Sequence, residues 1–263
     1  MESQYLLGDA QTVLATLPPD SVQLVVTSPP YWSLKDYDHP DQIGFGESFE
    51  SYLERLQGVW KESIRVLEPG CRLCINVGDQ FVRAQPGQPY NILPIHSEII
   101  KQLQDIDGVS YLGSIIWHKI GTSRGSGGGA FMGSIYHPRD ALIAYEHEYI
   151  AIFKKNGRAR KPSPESKEKS RLTLAQRSEW GRGMWNFPPV RKQKGHPAQF
   201  PPELPKRLIR MYTFHGETVL DPFAGSGTTL DAARDTGRHG IGVDLNPDYQ
   251  WLWEGQTLNL FAG

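Results

Sequence analysis

Residues 218–244 constrain the fold of this chain more than any other stretch. Thr218-Val219-Leu220-Asp221 reads as a buried strand running into Pro222-Phe223-Ala224-Gly225-Ser226-Gly227-Thr228-Thr229, a turn rich in small residues. A helix-like stretch, Leu230 to Arg234, follows and is ended by Gly237. His239-Gly240-Ile241-Gly242-Val243-Asp244 then reads as a second strand closing on a carboxylate. A strand, a glycine turn, a helix and a strand, with an acid about 20 positions on, is the spacing of a nucleoside-binding βαβ half. Gly225 and Gly227 let backbone approach a ligand closely, and Asp244 can accept from both hydroxyls of a ribose. The turn is not GxGxxG, so the pyrophosphate cradle of a dinucleotide site is missing. A nucleoside bearing an amino acid fits better, with Asp221 near its cationic end.

The apolar run Val22 to Val26 closes on Thr27-Ser28-Pro29-Pro30-Tyr31-Trp32. The proline pair restricts the dihedrals of both prolines and of Ser28, and removes two backbone donors. What remains is a stiff turn presenting carbonyl oxygens, a hydroxyl and an aromatic face. Such a set suits a flat base with an exocyclic amine, whose hydrogens the oxygens accept and whose ring Tyr31 can stack against. Trp32 reads as packing. A proline-stiffened strand end with a buried aromatic is the plainer alternative.

In this order along the chain, the two segments resemble those of the β-group DNA amino-methyltransferases, in which the catalytic loop precedes the cofactor loop. Leu6-Leu7-Gly8-Asp9 is similar to that family's acidic motif beside the cofactor adenine. Val66-Leu67-Glu68-Pro69-Gly70 into Leu73–Val77 is similar to its helix-to-strand step after the catalytic loop. Ile115–Lys119 and His147–Phe153 resemble the strands that close the sheet edge. His196-Pro197-Ala198-Gln199-Phe200-Pro201, then a helix from Glu203 to Tyr212, resembles the segment leading into the cofactor loop.

The resemblance covers nearly the whole chain. It implies an α/β, Rossmann-like S-adenosylmethionine-dependent methyltransferase fold: a mostly parallel twisted sheet with an antiparallel edge strand, circularly permuted motif order and a small basic insertion. Residues 1–153 are expected to form the catalytic half, 154–190 the basic insertion and target-recognition region, and 191–263 the S-adenosylmethionine-binding half. The terminal segments should lie side by side in the sheet. Cofactor contacts carried over are Asp9, Thr27, Phe200, Asp221, Phe223, Gly225, Ser226, Gly227, Thr228 and Asp244; catalytic positions are Ser28, Pro29, Pro30 and Tyr31. No metal is expected.

Ser28 followed by Pro-Pro-Tyr is the pattern of cytosine-N4 enzymes, whereas many adenine-N6 members carry Asp or Asn there. Adenine-N6 methylation uses the same apparatus and stays open, as does a non-catalytic nucleic-acid-binding protein with a relict cofactor fold. A duplex substrate requires the target base to be flipped out. The resemblance also implies cytoplasmic, nucleoid-associated action in a bacterial or archaeal cell, and a possible partner restriction endonuclease.

A net charge of −1 is at first sight awkward for a DNA partner. Between Lys154 and Lys194, however, thirteen basic residues face only Glu165, Glu168 and Glu179, so the remainder of the chain carries the negative charge. Such a block is the electrostatic footprint expected for phosphates. Lys154, Lys155, Arg158, Arg160 and Arg182 are its candidate contacts, and Trp180 and Trp185 interleave with it as stacking groups. A solvated face is the alternative. The glycine stretch Gly121–Gly129 either orders against DNA, with Arg124 and Arg139 as contacts, or is a plain surface excursion.

Ser48 to Val66 places Phe49, Leu53, Leu56, Val59, Trp60 and Ile64 at helical spacing, a core face. Cys71 and Cys74 form a lone CxxC without a second pair, read as small residues on a buried strand. No apolar run approaches the ~18 residues of a membrane span. The first residues, Met1-Glu2-Ser3-Gln4, do not form the basic start of a secretory signal.

Overall fold

Val22–Thr27 is buried at all of its positions, the pattern of a strand covered on both faces. The sheet around it organises the molecule. A computed structural model describes residues 1–84, 86–87, 89–119, 146–190 and 199–261, the last seven as backbone alone. The glycine stretch Gly121–Gly129 with Arg124 and Arg139, together with Arg191, Lys192, Lys194 and His196–Ala198, lies outside the described residues.

The first half runs β1 (Ser3–Leu7), α1 (Ala10–Thr16), β2 (Val22–Thr27), α2 (Phe49–Val66) and β3 (Leu67–Val77). A small hairpin, β4 (Gln80–Val82) and β5 (Asn91–Leu93), precedes α3 (Ile95–Gln104), β6 (Val109–Lys119) and β7 (His147–Lys155). The rest is α4 (Pro164–Lys169), α5 (Leu174–Trp180), β8 (Met184–Phe187), α6 (Glu203–Tyr212), β9 (Thr218–Asp221), α7 (Thr228–Asp235), β10 (His239–Asp244) and α8 (Pro247–Phe261).

The main sheet has the order β1-β10-β9-β2-β3-β7-β6-β8. The motif order predicted adjacent terminal segments, and β1 pairs in parallel with β10 from Ser3↔Gly240 to Leu7↔Asp244. Strand β7 is antiparallel to both neighbours. The two strands expected to close the sheet edge, β6 and β7, lie at that end, and β8 adds outside them in parallel along β6 from Ile116↔Met184 to Lys119↔Phe187.

Apolar periodicity in α2 turns Tyr52, Leu56, Val59, Trp60 and Ile64 onto one face of the sheet, where they join β3 residues Leu73 and Ile75 in the core. Ser48 caps that helix by accepting from the Ser51 N–H at 3.1 Å. The opposite face carries Leu204, Leu208 and Ile209 of α6 with Val26, Cys74 and Ile152. Both cysteines are free and buried on β3, and burial pushes the Cys71 thiol up to about 12. Among the described residues no helix is long and apolar enough to cross a membrane.

The segment 164–187 is part of this architecture rather than an appendage. Arg207 of α6 is buried against the rings of Trp180, Trp185 and Phe187, at 5.8, 5.3 and 5.1 Å, and pairs with Glu179 and Glu203. Ser166 Oγ donates to the His215 carbonyl at 2.6 Å, and the His215 N–H donates to Ser170 Oγ at 2.7 Å. Trp180 and Trp185, expected to stack on bases, are core residues; Trp185 Nε1 donates to the Trp180 carbonyl. An indole sealed against a buried guanidinium has no free face for a nucleobase.

Candidate active site

Parallel strands β1, β2, β9 and β10 all end on the same side of the sheet, and a cleft of about 870 Å³ opens there. The location is where open α/β sheets bind ligands. Its walls come from four strand ends: Gly8 and Asp9 after β1, Ser28–Tyr31 after β2, Pro222–Ser226 and Thr228 after β9, and Asp244–Asn246 after β10. Gln199 and Phe200 close one side; Tyr37, His39 and Asp41–Ile43 cross another.

The two loops singled out in the sequence are bolted together from behind. Thr27 Oγ1 donates to Asp221 Oδ1 at 2.7 Å, linking the end of β2 to the end of β9. Thr229 Oγ1 donates to Asp221 Oδ2 at 2.6 Å, and the Phe223 N–H reaches Oδ1 at 3.1 Å. Burial raises the Asp221 carboxyl to about 6, opposed by the bonds from Thr229, Thr27 and Phe223. Thr27 and Asp221 were expected to touch a cofactor. Both are instead fully buried behind the cleft wall, where they hold the loops in register. Gly227, expected in the same role, also sits behind the wall. Its φ of +80° starts α7 in the left-handed region, and a Cβ there meets Trp253 Cδ1 at 2.2 Å.

Within the cleft, the loop after β2 keeps selected acceptors free among the described residues. The Pro30 carbonyl accepts from Tyr52 Oη at 2.9 Å and the Tyr31 N–H donates to Tyr37 Oη at 3.4 Å. Trp32 packs edge-on against Phe49 and donates to the Glu47 carbonyl, as a packing residue should. Ser28 Oγ and the Pro29 carbonyl bond to no described residue. Tyr31 donates from Oη to Glu148 Oε1 at 2.9 Å, and burial, with Glu148 beside it, pushes its phenol well above the usual range.

The opposite wall presents carboxylates and backbone. Asp244 Oδ2 accepts from the Gly225 N–H at 2.8 Å and Oδ1 from the Asn246 N–H at 3.0 Å, while burial works to raise its carboxyl. Those bonds orient the side chain and leave each oxygen a lone pair. Asp9 caps α1 through Oδ1, which accepts from Thr12 N and Oγ1. Ser226 Oγ accepts from Gln199 Nε2, tying the glycine turn to the segment before α6. Acceptors at Asp9 and Asp244, with apolar faces at Ile43, Phe200 and Phe223, fit a nucleoside: hydroxyls on the carboxylates, a base between the apolar groups.

Sequence reasoning missed several lining residues. Tyr37, His39, Asp41, Gln42 and Tyr249 carry no motif, and reach the cleft through long-range ties such as Asn246 Nδ2 to the Tyr37 carbonyl at 3.0 Å. Glu148 and Lys119 were read only as strand residues. Their charges inside apolar runs were the available signal.

Four expected DNA contacts lie elsewhere. Because β7 is antiparallel to β3, Lys154 stands opposite Arg72, at the end of the sheet away from the cleft. Lys155 Nζ donates to Asp20 Oδ1 at 2.7 Å and to the Leu67 carbonyl at 2.8 Å. Residues 157–160 wrap the first part of β3, where a Cβ on Gly70 would meet the Ala159 nitrogen at 2.4 Å and the Arg158 carbonyl carbon at 3.1 Å. Arg160 binds Glu68 through its N–H at 2.8 Å and its guanidinium at 3.0 Å. Burial works to raise Glu68, and Arg160 with Gln23 holds it below the usual range. Arg182 is exposed ahead of β8, and among the described residues no group of acids and histidines forms a metal site.

The model of the DNA methylase family matches residues 22–253. The Type II methyltransferase M.MjaI of Methanocaldococcus jannaschii is 34% identical over 92% of this chain and 87% of its own length. The Thermus thermophilus protein TTHA0409, solved in complex with S-adenosyl-L-methionine, is 41% identical, with a TM-score of 0.77 over 97% of this chain and 94% of that one. The cytosine-N4-specific PvuII DNA methyltransferase shares 19% identity at a TM-score of 0.69, over 95% of this chain and 84% of that one, a likeness of fold.

Proposed function

This chain belongs to the DNA methylase family, and from that premise we propose that it methylates the exocyclic N4 amine of a cytosine flipped out of duplex DNA, using S-adenosylmethionine. One observation carries the reading. Ser28 Oγ and the Pro29 carbonyl, both without partners among the described residues, line the same cleft as Gly225 and Asp244. An exocyclic amine has two hydrogens, and these are two acceptors on adjacent residues of a loop that the prolines stiffen. Accepting both hydrogens turns the amine nitrogen to face the cleft.

S-adenosylmethionine, when bound, supplies a methyl group made electrophilic by its sulfonium. Asp244 would hold the ribose hydroxyls, Asp9 the adenine side, and the turn Phe223–Ser226 the amino-acid end. The chain's contribution to rate is then mainly positioning, which well-oriented reactants convert into large accelerations. Ser28 is too weak a base to deprotonate the amine beforehand, so its proton leaves during or after transfer. Tyr31 offers its ring to the base.

The cytosine preference rests on Ser28, a neutral hydroxyl where a carboxylate would be a stronger acceptor. To test it, unmodified DNA is incubated with the protein and S-adenosylmethionine, digested to nucleosides and analysed by mass spectrometry. The expected product is 4-methylcytosine. Finding 6-methyladenine alone would overturn the preference while leaving the family assignment intact.

A further inference from the structure

Behind the catalytic loop lies a buried charge cluster that the proposed reaction does not use directly. Glu148 on β7 is 5% exposed, and each of its oxygens is committed. Oε1 accepts from Tyr31 Oη at 2.9 Å and pairs with Lys119 of β6; Oε2 accepts from Asn76 Nδ2 of β3 at 2.6 Å. Three neighbouring strands thus converge on one carboxylate, and among the described residues its link forward is the phenol that lines the cleft. The packing is tight: a Cβ on Gly78 would stand 3.1 Å from Glu148 Cγ. Asn76 Oδ1 has no hydrogen-bond partner among the described residues, a cost the core bears while the amide is turned toward Glu148. A buried ion pair of this kind contributes little stability over an apolar replacement, which leaves orientation of the phenol as the work this one can do.

We infer that Glu148 is a positioning residue: held by Lys119 and Asn76, it fixes the Tyr31 ring at the angle from which it meets the target base. The inference rests on the reading of the cleft as the methyl-transfer site. Glu148 touches neither substrate nor cofactor and acts through one hydroxyl. Lys119 pairs with the same carboxylate oxygen that accepts from the phenol, and a charge-assisted hydrogen bond is shorter and stronger than a neutral one. Without it, the Tyr31 side chain regains rotational freedom, and misplacements of about 1 Å at a reacting centre cost up to ~100-fold in rate.

The test is a double-mutant cycle on single-turnover methyl transfer with Tyr31→Phe, Glu148→Gln and the pair. Each single change should lower the rate by about tenfold or more, and the pair should be no slower than Tyr31→Phe alone. Affinity for S-adenosylmethionine should stay unchanged. Rates that multiply in the pair, or a wild-type rate for Glu148→Gln, would overturn the inference. Because Glu148→Gln strands the Lys119 charge, the cycle is repeated with Lys119→Met, which removes that stranded cation. An activity-independent reading comes from 3-fluorotyrosine at position 31, whose ¹⁹F resonance should move in Glu148→Gln; an unmoved line also overturns the inference. If the wild type transfers no methyl to DNA, the site reading fails, and the ¹⁹F line still decides whether Glu148 holds Tyr31.

Discussion

The two ends of one sheet put polar groups to opposite use. At the cleft end, Ser28 Oγ and the Pro29 carbonyl stand without partners among the described residues, beside oriented carboxylates at Asp9 and Asp244. At the far end, conspicuous cations are already engaged: Lys155 on Asp20 and a helix-end carbonyl, Arg160 on a buried Glu68. A count of charges along the chain favours the second end as a ligand-binding surface; the folded structure favours the first. What separates them is whether a group's hydrogen bonds and charge are spent inside the protein. A partnered cation has little left for a phosphate, and an unpartnered acceptor at a strand end is available to a substrate.

The comparison is broken most severely at Ser28. Ser28→Ala deletes one of the free acceptors, and loss of a single positioned polar contact typically costs ~100-fold or more in turnover. Single-turnover rates should fall by that order, with S-adenosylmethionine affinity and thermal midpoint unchanged; an undiminished rate removes Ser28 from the chemistry.

Next in size is Asp221, the brace between the loops. Its folded carboxyl lies near 6 against an ordinary value of 3.8, so between those values the folded state holds a proton that the unfolded chain has lost. Stability therefore falls as pH rises through that window, by about 3 kcal/mol in all, and stays reduced above it. Asp221→Asn keeps the shape without the charge. Its denaturant midpoint relative to wild type should rise between about pH 4 and about pH 7; a constant difference would show that Asp221 bears no such strain.

A smaller effect is expected at the opposite wall. Asp244→Ala removes the acceptor proposed for the ribose hydroxyls and the partner of the Gly225 N–H, and should weaken S-adenosylmethionine by about tenfold or more, as loss of charge-assisted hydrogen bonds does. Calorimetry on this variant and on Ser28→Ala should separate binding from transfer, only the former losing affinity.

Least affected should be DNA binding when the far end is neutralised. Lys155→Met with Arg160→Gln should cost about 1 kcal/mol of stability, as partly exposed ion pairs do, and leave the salt dependence of DNA affinity unaltered. A salt slope reduced by roughly one unit per cation removed would restore these residues as phosphate contacts.

Much of the cleft was legible in the sequence because backbone and turn chemistry are local. The prolines after Thr27, the small residues after Asp221 and the carboxylate ending β10 announce a strand end each, and the sheet gathers strand ends by rule. The β1–β10 pairing followed from motif order alone. Burial was less legible. Asp221 and Thr27 looked like ligand contacts because a carboxylate and a hydroxyl beside a glycine turn suit one, and only packing shows that they bond to each other. Trp180 and Trp185 looked like stacking groups until Arg207, distant in sequence, was seen to fill the space between them. The 37–43 crossing and the Glu148 cluster depend on contacts over long sequence separations, which no local pattern encodes.

The central claim, that the free acceptors at 28–29 and the turn at 223–228 serve one reaction, is tested most directly by a crystal structure with S-adenosyl-L-homocysteine and a duplex containing the target site. The account predicts the cofactor product against Phe223–Ser226 and Asp244, with the flipped cytosine amine within about 3.2 Å of both Ser28 Oγ and the Pro29 carbonyl. A base seated at the Lys155–Arg160 end of the sheet, or an amine facing away from Ser28, would contradict it.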